Sequence, residues 1–544
     1  MWISKTILLL SCFPYSSPIS FLHLHLLFQT IFLLFLFAPF CFVFLFVSFL
    51  FLSSFFSLTF CLNQEMRGKY HPFIHLAIIL GCVVLASAVR WIRSAQELID
   101  LFKDVWDSPV RVDIDLMNDL DFSGIDFQKP LGYQYSGEVI PYSGVFQGNG
   151  HALKNLVMNG TTQHVDMGLF FHVVNATFKN LVIDSSCSFN GGTVGGLSVY
   201  GEGSLAFINV RNEANIIGKY EVSPLVAWVH GGTITLDNCV NNGDITGDVG
   251  AAGLIQGVNS YNKTIVKFSN CVNNGVITAR GSAGGIVGQL FLREPMTVTM
   301  SNCTNNGFIS VANEHAGGLV GHCWDDDIFG QDVKMMISDS FNNGDVIAQN
   351  YSGGIVGGMK WLTHSTIIIN CENKGSVTVK KHFACGLICP FSFYSWETNT
   401  TIVNSVNKGT IKAEEYAFGI ANRVATARNV VSMGDVISPS HSYTFWKDSN
   451  DVDLYYGLHG KCLNCGNAAV FYFNVEKNVY IVAENGKEVQ NLLNDEATKQ
   501  HYGAKWTKEL DLVPGESHVS GSFVHSLSPI VLAFAFILIH VLDF

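Results

Sequence analysis

Apolar residues along most of this chain fall in short, β-branched runs that alternate with polar ones. Thr233-Ile-Thr-Leu236, Thr264-Ile-Val266, Thr297-Val-Thr299 and Ile367-Ile-Ile369 are examples, each bounded by Gly or Asn. None carries apolar residues at helical spacing for long enough to form a helix, so the pattern predicts short strands. Between the runs one phrase is repeated: NCVNNGDI at Asn238, NCVNNGVI at Asn270, NCTNNGFI at Asn302, SFNNGDVI at Ser340 and NCENKGSV at Asn370. The closing glycines Gly243, Gly275, Gly307, Gly344 and Gly375 lie 32, 32, 37 and 31 residues apart, with weaker copies at Asn404 and Ser432. A period of this size signals a solenoid, a propeller or an array. A propeller blade would need four strands and a tryptophan-like signature per repeat, which is not found. Two or three short strands per repeat, with corners between them, make one coil of a parallel β-helix stacked about 4.8 Å from the next. Asn-Asn-Gly is expected to supply the left-handed backbone at a corner.

A second phrase alternates with the first: AAGLIQG at Ala251, AGGIVGQ at Ala283, AGGLVGH at Ala316 and SGGIVGG at Ser352. Its core, Gly284-Gly-Ile-Val-Gly288, Gly317-Gly-Leu-Val-Gly321 and Gly353-Gly-Ile-Val-Gly357, resembles the GLUG-motif repeats of surface adhesins and other extracellular proteins. The stretch from Gly144 to Leu156, with Gly168-Leu-Phe-Phe and Thr177-Phe-Lys-Asn-Leu-Val-Ile183 after it, is similar to the first coil that precedes such repeats. The resemblance covers Tyr142 to Ile437. It implies an all-β chain, a right-handed parallel β-helix over residues 112–440. It implies little about activity, since one fold hosts many functions.

At the N-terminal end of the repeats, Ser94 with Glu97 three residues on forms a capping box, and Leu98, Leu101, Phe102 and Val105 share one face. A capping helix is therefore expected within 89–111, with Val112, Ile114 and Leu116 opening the first coil. Beyond Ser440 the pattern changes. Strand-like Val470-Phe-Tyr-Phe473 and Val479-Tyr-Ile-Val482, then a helical stretch from Val489 to Glu496, suggest a small α+β C-terminal cap over 441–513.

Residues 1–62 hold 15 of the 41 phenylalanines and almost no charge. They read as membrane-spanning sequence, or as an untranslated pyrimidine-rich leader. Met66-Arg-Gly-Lys-Tyr-His, the apolar stretch 72–85 and Ala86-Ser-Ala88 make a complete secretory signal over 66–88, so Met66 is the expected start and 1–65 is excluded from the mature chain. Net charge is −12. Loss of Arg67 and Lys69 with the signal, Lys5 and Glu65 cancelling, takes it to about −14. An acidic surface argues against nucleic acid and against docking on anionic lipid.

The candidate chemistry is sparse. Sequons place glycosylation at Asn159, Asn175, Asn262, Asn350 and Asn399. Asn302 also stands in one, but as a repeat position it is expected inward or stacked. Cys239, Cys271, Cys303 and Cys371 share one repeat position and read as an inward ladder of small side chains. Cys385, Cys389, Cys462 and Cys465 are disulfide candidates rather than a split zinc site, in an oxidising compartment. Asp325, Asp326 and Asp327, beside an exposed Trp324, are weak candidates for Ca²⁺ or sugar; they lack calcium-loop alternation and read first as a solvated insertion. No catalytic residues and no cofactor are indicated. At the C-terminus, small residues in a linker over 514–528 and an apolar tail over 529–544 have the order of a glycosylphosphatidylinositol signal, with Ser520, or else Ser517, as attachment residue. These readings point to a surface-anchored, non-catalytic adhesin or coat glycoprotein on the extracellular face of the plasma membrane. It is held by a lipid anchor or by the hydrophobic tail itself, and glycans or surface proteins of host or neighbouring cells are its expected partners. The alternative is a β-helical lyase or glycosidase acting on polysaccharide.

Overall fold

The structure is a computed structural model. It describes residues 89–445 apart from 104–108, 134–138, 161–164, 325–332, 360–364, 391–399, 423 and 425, together with five short strands beyond 445. The leader, the signal, the linker, the tail and the expected helix at 489–496 lie outside the described residues.

The described chain is a parallel β-solenoid. Ten strands, from Val157–Asn159 to Val436–Ile437, stack in coil order to form one face. The remaining strands of the coils pair in parallel as one continuous sheet. Its register fixes which residues stack. Ile114, Phe146, Phe178, Phe207, Leu236, Phe268, Met300, Ile337, Ile368, Ile402 and Ala427 follow one another from coil to coil, and all are buried. A second inward ladder, Leu197, Leu225, Leu254, Ile286, Leu319, Ile355, Leu387 and Ile420, is fully buried as the repeat pattern predicts. The first column is aromatic near the N-terminus, where the Phe178 and Phe207 rings stack 5.4 Å apart, and aliphatic further on. Each buried apolar side chain contributes roughly 1.5–3 kcal/mol, so the core is a sum of similar coil terms.

The capping helix forms over Ala95–Lys103 and buries Ala95, Leu98 and Phe102. The Phe102 ring meets Tyr142 and Phe170 of the first coils edge-on, at 6.1 and 5.6 Å. Ser94 Oγ accepts the Glu97 N–H at 3.2 Å as expected. The Glu97 carboxylate, however, accepts from Arg93 N–H at 2.7 Å rather than from the cap residue itself. Val89–Ile92 precedes the helix as a strand paired with Asp113–Leu116, so the region opens on a strand that the pattern did not reveal. At the other end, parallel pairing runs past residue 440 through His441–Phe445 and Tyr455–Gly457. Two antiparallel pairs follow, Phe471–Asn474 with Val479–Val482 and Lys505–Trp506 with Leu512–Val513.

One expectation is corrected. The left-handed corner residue is the first Asn of the phrase, not Asn-Asn-Gly: Asn238, Asn270, Asn302, Asn370 and Asn404, with Asp339, have φ between 47° and 55°. The middle asparagine is instead fully buried. Asn212, Asn241, Asn273, Asn305, Asn342 and Asn373 each donate Nδ2–H to the Oδ1 of the next, down to Asn407, at 2.7–2.8 Å. The same Nδ2 groups also donate to a carbonyl two residues on in their own coil, as Asn305 does to Gly307 at 2.9 Å. All the amide hydrogens of the ladder are thereby used, which is what an unexposed polar column requires. The closing glycine is needed for space rather than for backbone freedom. A Cβ on Gly307 would run into the carbonyl oxygen of Gly275. The structure also adds a coil that the repeat phrase does not show, at 209–214, where Val210 stands for Cys and Ala214 for Gly while Asn209 and Asn212 keep both ladders.

Candidate functional site

The second phrase builds the bend that matters. In x-A-G-G-(I/L)-V-G-x the hydrophobic residue turns inward, and the residues flanking the phrase lie side by side on the other side of the strand. Thr193, Ser282, His315 and His322 are nonetheless buried there, and Tyr200, Trp228 and Gln289 are partly exposed. Coil by coil the pairs are Thr193 with Tyr200, Glu221 with Trp228, Gly250 with Gly257, Ser282 with Gln289, His315 with His322, and Tyr351 with Gly358. Neighbours touch within the pairs that carry two side chains. The His315 and His322 rings stack 4.0 Å apart at 15°, and Gln289 donates to the Ser282 hydroxyl. Burial pushes the Glu221 carboxyl up, opposed by its hydrogen bond with the Trp228 indole.

Two residues further along the same strands stand Glu202, His230, Asn259, Phe291 and Trp324. With Tyr133, Phe171 and Tyr261 beside them, the two columns carry aromatic rings along one side of the sheet. Centroid distances are 4.9 Å for Tyr133–Phe171, 5.4 Å for Phe171–Tyr200, 6.1 Å for Tyr200–His230 and 5.5 Å for His230–Tyr261. Arg293 adds its guanidinium 5.3 Å from the Tyr261 ring. Where the pair is Gly250 and Gly257, the Trp228 indole lies over Gly257, which could not carry a Cβ beneath it, and meets Phe291 at 5.2 Å. Further on, Tyr351 stacks on His315 at 5.2 Å, and Phe383 meets Tyr351 and Tyr416 at 5.6 and 5.0 Å. Burial depresses the imidazole pKa of His172 and His230, with Glu202 opposing it in both.

Asp325, Asp326 and Asp327 lie outside the described residues, as do Asn399, Cys462, Cys465, Ser517 and Ser520. Trp324 is half-buried rather than exposed, with the His322 ring edge-on at 5.3 Å. Asn159, Asn175 and Asn262 are exposed and Asn350 is half-buried. Asn302 is exposed and stacked, its Nδ2 donating to Asn270 Oδ1 at 2.7 Å. Cys239, Cys271, Cys303 and Cys371 are buried thiols in one ladder, and Cys385 and Cys389 are also free and buried. Burial pushes the Cys371 thiol up to about 12. Ser340 fills a cysteine position by accepting the Cys303 N–H at 3.1 Å and donating to Ser338 O at 2.7 Å. Among the described residues no group of three or more His, Cys, Asp or Glu is arranged to hold a metal. No helix among them is long and apolar enough to cross a membrane.

Sequence reasoning did not single out the paired outer columns. Their signal is present: positions at fixed offsets from A-G-G that change identity while everything around them repeats.

No family model and no curated protein matches the chain. Among solved structures, a crystal structure described as a "putative immunoglobulin A1 protease" from Bacteroides ovatus is similar at 16% identity and a TM-score of 0.36, covering 78% of this chain and 91% of its own. A likeness that weak carries no argument about activity.

Proposed function

We propose that this chain is a secreted, cell-surface-anchored glycoprotein of GLUG-type repeats that serves adhesion or forms a surface coat, has no catalysis of its own, and meets its partner along the aromatic outer face. It needs no cofactor, and its acidic balance argues against nucleic acid as a partner. The observation that carries the reading is the aromatic and imidazole series from Tyr133 to Tyr416. Within it Tyr133 and Tyr261 are exposed and Tyr200, Trp228, Phe291 and Trp324 are only partly buried, and recognition surfaces are enriched in such accessible rings. Attachment is by a lipid at Ser520 or Ser517, or by the apolar tail.

Two measurements test this. Phosphatidylinositol-specific phospholipase should release the protein from intact cells, and retention together with Phe544 in the mature chain rejects the lipid anchor. The purified protein should bind glycans or cells, and Trp228→Ala with Phe291→Ala should weaken that binding about tenfold while leaving the fold intact. Absence of any binding rejects the adhesin reading and leaves the coat.

The alternative, a β-helical polysaccharide lyase or glycosidase, draws on Asp126 and Asp166, which line one cleft. It requires release of new chain ends from polysaccharide, a reaction that the proposed adhesin does not perform.

A further inference from the structure

The aromatic face begins at a cleft of about 690 Å³ beside the first coils, within the range of small-ligand sites. Its walls come from three separate stretches of chain. Tyr133 and Phe171 supply two rings whose centroids are 4.9 Å apart and whose planes are tilted by 49°. Lys129 places its ammonium 5.8 Å from the Tyr133 ring centroid. Asp126, Asp166 and Asn159 add polar groups. Asp166 is held in place from behind: Oδ1 accepts the Thr193 N–H and Oδ2 the Tyr200 O–H, both at 3.0 Å. Each carboxylate oxygen keeps acceptor capacity for a further donor. Asp126, Tyr133 and Asn159 are exposed, so the cleft is open to solvent.

This combination narrows the ligand. A purely apolar molecule would strip water from two carboxylates and an amide without replacing their hydrogen bonds, which is costly. An anionic group would meet two carboxylates against one lysine. A pyranose has apolar C–H faces that fit tilted aromatic rings, and a rim of hydroxyls that donate to carboxylate and amide oxygens. We infer that the cleft formed by Tyr133, Phe171, Asp126, Asp166 and Asn159 is a binding site for a neutral saccharide, the terminal unit of a glycan whose remaining units run onto the aromatic face. This inference rests on the adhesin reading above and gives it a substrate class. Asp166 reaches the face directly through Tyr200, which joins cleft and face in one site.

The experiment uses the purified full-length secreted protein and isothermal titration with short neutral hexose and N-acetylhexosamine oligosaccharides, their sulfated and sialylated counterparts, and an oligolysine peptide. Neutral sugars should bind. Tyr133→Ala and Asp126→Asn should each weaken them by about tenfold, and Lys412→Ala, an exposed residue on the ten-stranded face, should not. Both cleft residues are solvent-exposed, so thermal melting should show the variants folded. Three results overturn the inference while the adhesin reading survives: short neutral sugars that lose affinity with Trp324→Ala but not with Tyr133→Ala, preference for the anionic glycans, or binding of oligolysine in place of sugars. Failure of every short sugar, with long polysaccharide still retained by the face, also removes the cleft and keeps the adhesin. If neither short nor long glycans bind, the cleft inference falls; if intact cells are not bound either, the adhesin reading falls with it.

Discussion

Two regions of every coil are built from the same repeat and behave oppositely. At the corner, Asn241, Asn273, Asn305 and their equivalents are the same residue in coil after coil, and the glycine that follows is nearly as constant. At the bend on the outer sheet, the paired positions run through Thr, Glu, Gly, Ser, His and Tyr on one side and through Tyr, Trp, Gly, Gln and His on the other. The difference follows from what each position touches. A corner asparagine must donate to its own coil and to the next and accept from the one before, so only one side chain fits and the demand recurs in each coil. An outer residue meets chiefly its lateral neighbour and, at Tyr200, Trp228, Gln289 and Tyr351, solvent as well, so the fold demands no single side chain there. Uniformity marks the positions that hold the stack, and variation marks the surface available for recognition.

The comparison can be broken most severely from the inside. Leu319→Asp would place an unpaired charge in a fully buried ladder and should prevent secretion of a protease-resistant protein. A normally secreted, resistant product would show that the assigned register is wrong. Asn305→Ala removes the acceptor of Asn273 and the donor to both Gly307 and Asn342. Three buried groups lose partners, so urea unfolding should show a loss of about 3 kcal/mol or more. Asn305→Asp should be worse, since it sets a carboxylate against two oxygens that need donors.

Outer substitutions sharpen the contrast. Gln289→Ala, at a partly exposed position, should change unfolding free energy by no more than about 0.5 kcal/mol. A loss as large as that of Asn305→Ala would erase the distinction between corner and bend. A smaller effect concerns pH. His172 and His230 have pKa values lowered below 6.5 by burial, so the unfolded chain binds more protons than the folded one as pH falls past that value. Their contribution therefore favours the fold above about pH 6.5 and is lost as pH falls towards their folded pKa values. Melting temperature should decline over that window, and His230→Gln should flatten the decline. The smallest effect concerns the inner thiols. With Cys371 pushed up to about 12, iodoacetamide at mildly alkaline pH should leave that residue unlabelled in the folded protein, as mass spectrometry of its peptide would report.

The sequence alone determined the architecture, because a repeat writes its constraints once per coil. The period, the alternating strands, the inward Ile286, Leu319 and Ile355, the inward cysteines and the Ser94–Glu97 cap are all contacts within a coil or between identical positions of successive coils, which local pattern exposes. Tertiary structure decided the rest. Which asparagine turns left-handed depends on where the neighbouring coil offers a hydrogen-bond partner, and the chain order N-C-x-N-N-G does not say. Tyr133, Phe171 and Asp166 meet at one cleft only because the fold brings separate stretches of chain alongside. Such lateral adjacency has no period, so no repeat pattern announces it.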